Sequence, residues 1–148
     1  MPSMRDRRGV STTLAYVLSF GISALLISGL VIGAGTFIDG ERDRTAEAEL
    51  QVIGEQIVSD LHAADRLVRA GETDTVTIRR ELPSRVVGDT YTVEVVAGGD
   101  ELELATSHTS VRVTFDTQTD IDTAASAGGG TIVIEYDSGA DELEVTNG

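Results

Sequence analysis

The chain has no cysteine, no tryptophan and no lysine, and only two prolines in 148 residues. The lack of cysteine excludes disulfide staples, thiolate metal sites and a cysteine nucleophile. Asn147 is the only asparagine and no x-Ser/Thr follows it, so the sequence holds no N-glycosylation acceptor of that type. Missing too are a glycine-rich phosphate loop, a nucleophile elbow and an HExxH helix. The two histidines, His62 and His108, lie far apart in sequence. No catalytic arrangement emerges, and we expect neither an enzyme nor a cofactor nor a small-molecule substrate.

All eleven cations are arginine, against 25 carboxylates, which gives a net charge of −14 and a sequence pI near 4.3. Such a chain repels the phosphate backbone, so no nucleic-acid partner is expected. Acidic, lysine-free and poor in aromatics, it has the composition of a protein adapted to very high salt. There, screening within a few ångströms weakens self-repulsion and hydrated carboxylates maintain solubility. We expect a haloarchaeal source. Asp116, Asp120 and Asp122 could offer oxygens to Ca²⁺, but the loop spacing of an EF-hand is missing and local carboxylate clusters follow from the composition alone.

Against this acidity stands one long apolar run. Residues 10–38 contain no Asp, Glu, Lys, Arg or His. As a helix, at ~1.5 Å per residue, such a run reaches about 43 Å and exceeds the ~30 Å core of a bilayer. It is too long for the ~7–15-residue apolar region of a secretory signal. The remaining residues are too few to enclose it as the central helix of a soluble domain. A lipid bilayer is therefore the expected partner. Arg5, Arg7 and Arg8 precede the run against Asp6, a balance of +2, so the residues beyond 38 carry −16. The positive-inside rule then places the N-terminus in the cytoplasm and the acidic domain outside.

Directly before the run stand Arg7, Arg8 and Gly9, followed by Val10, Ser11 and Thr12 with no spacer. This arrangement resembles the class III signal peptide of archaeal type IV pilins. The resemblance implies cleavage between Gly9 and Val10 by a membrane-embedded prepilin peptidase, with the apolar segment retained on the mature subunit. It further implies assembly with other pilin-like subunits through that segment. The chemistry suits the site, because basic residues hold a leader at the anionic membrane face and glycine leaves room around the backbone. Two departures weigh against a major pilin more than against a pilin-like protein: Thr12 stands where haloarchaeal pilins often carry proline, and residues 10–14 lack the glutamate that bacterial pilins place near the mature N-terminus. A plain signal anchor, with Arg7 and Arg8 as a positive flank, is the alternative.

Within the run, Gly29 and Gly33 form a GxxxG pair that offers a face for close helix–helix approach. Beyond it, Ala46, Leu50, Ile53, Ile57, Leu61, Ala64 and Val68 recur at steps of three and four, which predicts an amphipathic helix over about 45–70 that stops at Gly71. Glu47, Glu49, Gln51, Glu55, Gln56, Asp60, Asp65 and Arg66 would form its wet face, with Asp65 and Arg69 spaced for an ion pair. A coiled-coil stalk is disfavoured, since the stripe covers barely three heptads and Gly54 interrupts it.

The rest reads as six strands of alternating or β-branched residues, starting near Thr75, Thr90, Glu101, Ser110, Thr131 and Glu142. Turn residues between them predict two hairpins, 90–96 with 101–106 and 131–136 with 142–146. Residues 118–130, polar and glycine-rich, read as a mobile loop or filament-surface protrusion. The expected fold is α+β: a cytoplasmic leader over 1–9, a transmembrane helix over 10–38, an amphipathic helix over 39–71 and a small antiparallel β domain over 72–148. The long-helix layout is that of type IV pilins. The expected function is a pilin-like structural subunit of a surface filament. The alternative is an uncleaved, single-pass surface protein whose β domain binds a partner.

Overall fold

The computed structural model describes residues 4–71 and 75–148, with side chains from Thr12 onward. Its layout is α+β. One helix, α1, spans Met4–Arg69, and eight strands follow: β1 (Thr77–Glu81), β2 (Thr92–Val95), β3 (Glu101–Ala105), β4 (Ser110–Thr114), β5 (Asp120–Ile121), β6 (Ser126–Gly128), β7 (Thr131–Asp137) and β8 (Glu142–Asn147). By internal packing the chain divides into two units, Met1–Glu41 and Arg42–Gly148.

The expected transmembrane and amphipathic segments are the two halves of one long helix, as the pilin-like layout implied. Residues 39–44 read as a charged junction, yet apart from Gly40 they are residues a helix accepts in its interior, and α1 runs through them. It ends as expected at Gly71, whose φ of 73° is the left-handed conformation that closes helices. The N–H groups of Ala70 and Gly71 satisfy the carbonyls of Arg66 and Val68.

In the unit from Arg42 onward the strands form two four-stranded sheets, ordered β1-β7-β8-β5 and β4-β3-β2-β6, where a single small sheet was expected. Both expected hairpins are present: β2 pairs with β3, placing Val93 opposite Leu104, and β7 pairs with β8, placing Ile134 opposite Val145. Every pairing is antiparallel except β5 with β8.

Residues 118–130 depart most from expectation. They contain β5 and β6, and Ile121 and Ala127 are buried in the core. This segment joins the sheets. β6 pairs with β2 by its backbone, while at the end of β8 the Asn147 amide imitates a strand neighbour, its Oδ1 accepting from the Gly128 N–H (2.8 Å) and its Nδ2 donating to the Gly128 carbonyl (3.1 Å). Gly129 permits the approach, since a Cβ there would stand 2.7 Å from the Tyr91 ring and 2.8 Å from the Ser84 carbonyl.

The helix supplies one side of the core. Ala46, Leu50, Ile53, Ile57, Leu61 and Ala64 are buried and Val68 packs against them, so the predicted stripe is the buried face. They share one cluster with Leu102 and Leu104 of β3, Ile132 and Ile134 of β7 and Leu143 of β8. Gly54 does not interrupt this face but sets its distance. A Cβ at that position would meet Val113 Cγ2 at 2.6 Å and Leu104 Cδ1 at 3.1 Å, so only glycine lets the helix lie this close to β3 and β4.

Replacing Gly54 with leucine should therefore overpack the helix–sheet contact and lower stability by about 1–3 kcal/mol. Thermal unfolding of the detergent-solubilised full chain measures this, and an unchanged midpoint would contradict the close approach. Asn147→Ala should cost about 1 kcal/mol or more by leaving the Gly128 pair unmet. Faster amide exchange at Gly128 in that variant is the specific readout.

Candidate functional site

The feature that the fold does not explain is the first part of α1. Every residue over 12–38 is exposed, with large apolar side chains such as Leu14, Tyr16, Phe20, Leu25, Leu30 and Ile32 each at least 68% accessible. The mean hydropathy there reaches 2.2 over an 18-residue window, long and apolar enough to cross a membrane. Two hydroxyls of the segment are satisfied within the helix. Ser23 Oγ donates to the Ser19 carbonyl (2.8 Å) and Thr36 Oγ1 to the Ile32 carbonyl (2.9 Å), so neither hydroxyl needs water.

Gly29 and Gly33 lie on this exposed segment, and a Cβ at either would have no neighbour within 4 Å. The face predicted for helix packing is thus open within one chain. Arg7, Arg8, Gly9 and Val10 belong to the helical backbone of α1, while their side chains lie outside the described residues.

Farther along α1, the expected wet face needs a correction. Asp60 and Asp65 are both 6% exposed and serve as the helix's polar docking points. Arg80 of β1 forks onto Asp60, its Nε donating to Oδ2 at 2.7 Å and its Nη2 to Oδ1. The bond to Asp60 and its negative charge outweigh desolvation and raise the Arg80 pKa. Asp65 Oδ1 accepts three bonds, from the N–H of Gln118 (3.2 Å) and from the N–H and hydroxyl of Thr119 (both 2.9 Å). Arg69 Nη1 stands 3.8 Å from Asp65 Oδ2, so the expected spacing places these charges together, at longer range.

Burial alone would raise the Asp65 pKa, but the bonds from Thr119 and Gln118 and the Arg69 charge together hold it below the usual carboxylate range. Tyr91 shows the opposite balance. Its hydroxyl donates to the Pro83 carbonyl (2.8 Å) and burial pushes its phenol up.

A sequence signal for Asp60 existed. In β1, Ile78 packs on the core and Arg80 shares its face by alternation, which sets the half-exposed guanidinium on the side of the sheet where an acidic partner on α1 can meet it. For Asp65 the signal was its place beside Ala64 at the edge of the stripe. Carboxylates elsewhere have ordinary roles. Asp122 Oδ1 accepts from the Ala124 N–H at 2.8 Å, and Asp116 and Asp120 line an open cleft of about 480 Å³ with Asp100 and Glu142. Among the described residues no group of three His, Asp or Glu is placed to hold a metal ion.

These features define a class: a protein with one helix long and apolar enough to span a membrane, whose continuation is built into the core of a two-sheet β domain. The chain belongs to the DUF7266 family, a family of unknown function, whose model matches residues 5–147. No curated protein and no solved structure matches it.

Because the Asp65 pKa is depressed in the folded state, its stabilising effect is fully present above about pH 4, the unfolded value, and is lost as pH falls through the folded value. Asp65→Asn should therefore lower stability near neutrality and flatten its dependence on pH below about 4. Urea unfolding at several pH values tests this, and parallel curves for the two proteins would refute the docking role.

Proposed function

We propose that this protein is a pilin-like structural subunit, inserted in the membrane by residues 10–38 and assembled through that helix into a type IV pilus-like surface filament. The observation that carries the reading is a wholly exposed apolar helix that continues, without a break in α1, into the helix buried by the β domain. A plain anchor needs only the first part. Building the same helix into the domain core couples whatever holds the apolar segment to the folded domain.

Leu14, Tyr16, Leu18, Phe20, Ile22, Leu25, Leu26, Leu30 and Ile32, all exposed, supply the contacts between copies. Exchange of lipid contact for helix–helix contact is close to neutral in apolar surface, and the open Gly29 and Gly33 permit close approach. The basic residues before the helix favour a cytoplasmic N-terminus, with the −16 domain facing a saline exterior. The Arg7-Arg8-Gly9-Val10 sequence fits processing after Gly9 by a prepilin peptidase.

N-terminal sequencing of the protein from its native envelope, with and without the peptidase, tests this function. The expected mature start is Val10, dependent on the peptidase. An intact leader in both cases would leave an uncleaved, single-pass surface protein and remove the filament.

A further inference from the structure

Between α1 and the chain joining β1 to β2 runs a groove of about 630 Å³, walled by Thr45, Ala48, Glu49 and Val52 on the helix and by Pro83 and Arg85 on the loop. The helix residues follow the i, i+3, i+4, i+7 spacing that one helix offers another. We propose that this groove receives the apolar helix of a second copy of the chain. The inference rests on the filament reading and names the surface of the domain that takes part in it.

Charge selects the occupant. Glu49 and Arg85 are the two charged residues lining the groove, and they cancel, whereas the cleft beside β5 is lined by Asp100, Asp116, Asp120 and Glu142. In a region carrying −16, this strip of zero net formal charge accepts an uncharged helix at the cost of desolvating one carboxylate, against four at the other cleft. Residues 12–38 are such a helix and are exposed throughout. Within one copy, they and the groove wall are parts of the same helix, so the occupant comes from another copy.

Two exposed apolar side chains belong to the elements that wall the groove. Beyond residue 38, the large apolar side chains left exposed among the described residues are Val52, Leu67 and Val87. Val52 lines the groove, and Val87 follows Arg85 at the tip of the adjoining turn. Val87 is held at φ 50°, a left-handed conformation disfavoured for a β-branched residue, by the Val86–Asp89 bridge and a bond from Arg85 Nη1 to the Gly88 carbonyl (3.1 Å). A solvent-facing turn has no need of valine in that conformation. An apolar partner beside it gives the residue a use.

Since the chain has no cysteine, disulfide trapping reads only introduced pairs. Two tagged chains are co-expressed in native cells, one bearing Val52→Cys and the other a single cysteine at Leu14, Leu18, Leu25 or Ile32. Trapped pairs should appear at a subset of these positions and exceed those from a Leu67→Cys control, equally exposed, by about tenfold. If Val52→Cys traps no better than the control while cysteines within 12–38 trap one another, the groove proposal falls and the filament stands. Dominant Val52–Val52 pairs overturn it in favour of a two-fold contact. If no pair forms anywhere, filament and groove fall together. A second readout uses charge: Val52→Glu should cut recovery in sheared filaments about tenfold at unchanged membrane level, with Leu67→Glu near wild type. Equal recovery of the two variants would overturn the proposal.

Discussion

Residues 46–64 of α1 share one buried cluster with strands of both sheets. The helix side chains Leu50 and Leu61 are as completely buried as Leu102, Leu104 and Leu143 on the strands. Each large apolar side chain enclosed in this way contributes about 1.5–3 kcal/mol relative to exposure. A region of this size has little stability in reserve, so the helix belongs to the core rather than ornamenting it. Gly54 sets how closely it lies against β3 and β4, and the strands close around it as two short sheets joined by β6 and Asn147.

Apolar burial is not directional, and a smooth stripe would permit the helix to slide or rotate. Polar contacts limit that freedom. Asp60 grips Arg80 in the first sheet, while Asp65 holds the backbone entering β5, five residues farther along the helix. Sliding α1 by one residue would turn both carboxylates away from these partners and leave buried charges unmet, a costly state. The same bonds explain why a carboxylate as enclosed as Asp65 remains charged.

The regular features were legible in the sequence because each repeats. Seven apolar residues at helical spacing marked the buried face of α1, and alternation marked β1 to β4, β7 and β8. The apolar run was legible from length and lack of charge alone. What escaped depends on partners distant in sequence. β5 and β6, two and three residues long, have no period of their own and exist because β8, β2 and Asn147 pair with them. Asp60 and Asp65 read as solvent-facing because residue type was allowed to assign the face. The groove escaped because its walls, around Val52 and Arg85, come from segments thirty residues apart. The change in composition across 39–44, from apolar to charged, is a change of surroundings rather than of backbone, and α1 runs through it as the long-helix layout implied.

The central claim, that the helix is the core of the β domain, is tested most directly by comparing two fragments, residues 42–148 and residues 75–148, by hydrogen exchange and thermal unfolding at high salt. The account predicts a cooperative transition and protected amides in β3, β7 and β8 for the longer fragment, and neither for the shorter. A shorter fragment that unfolds cooperatively with the same protected strands would show that the sheets fold without the helix, and would contradict the claim.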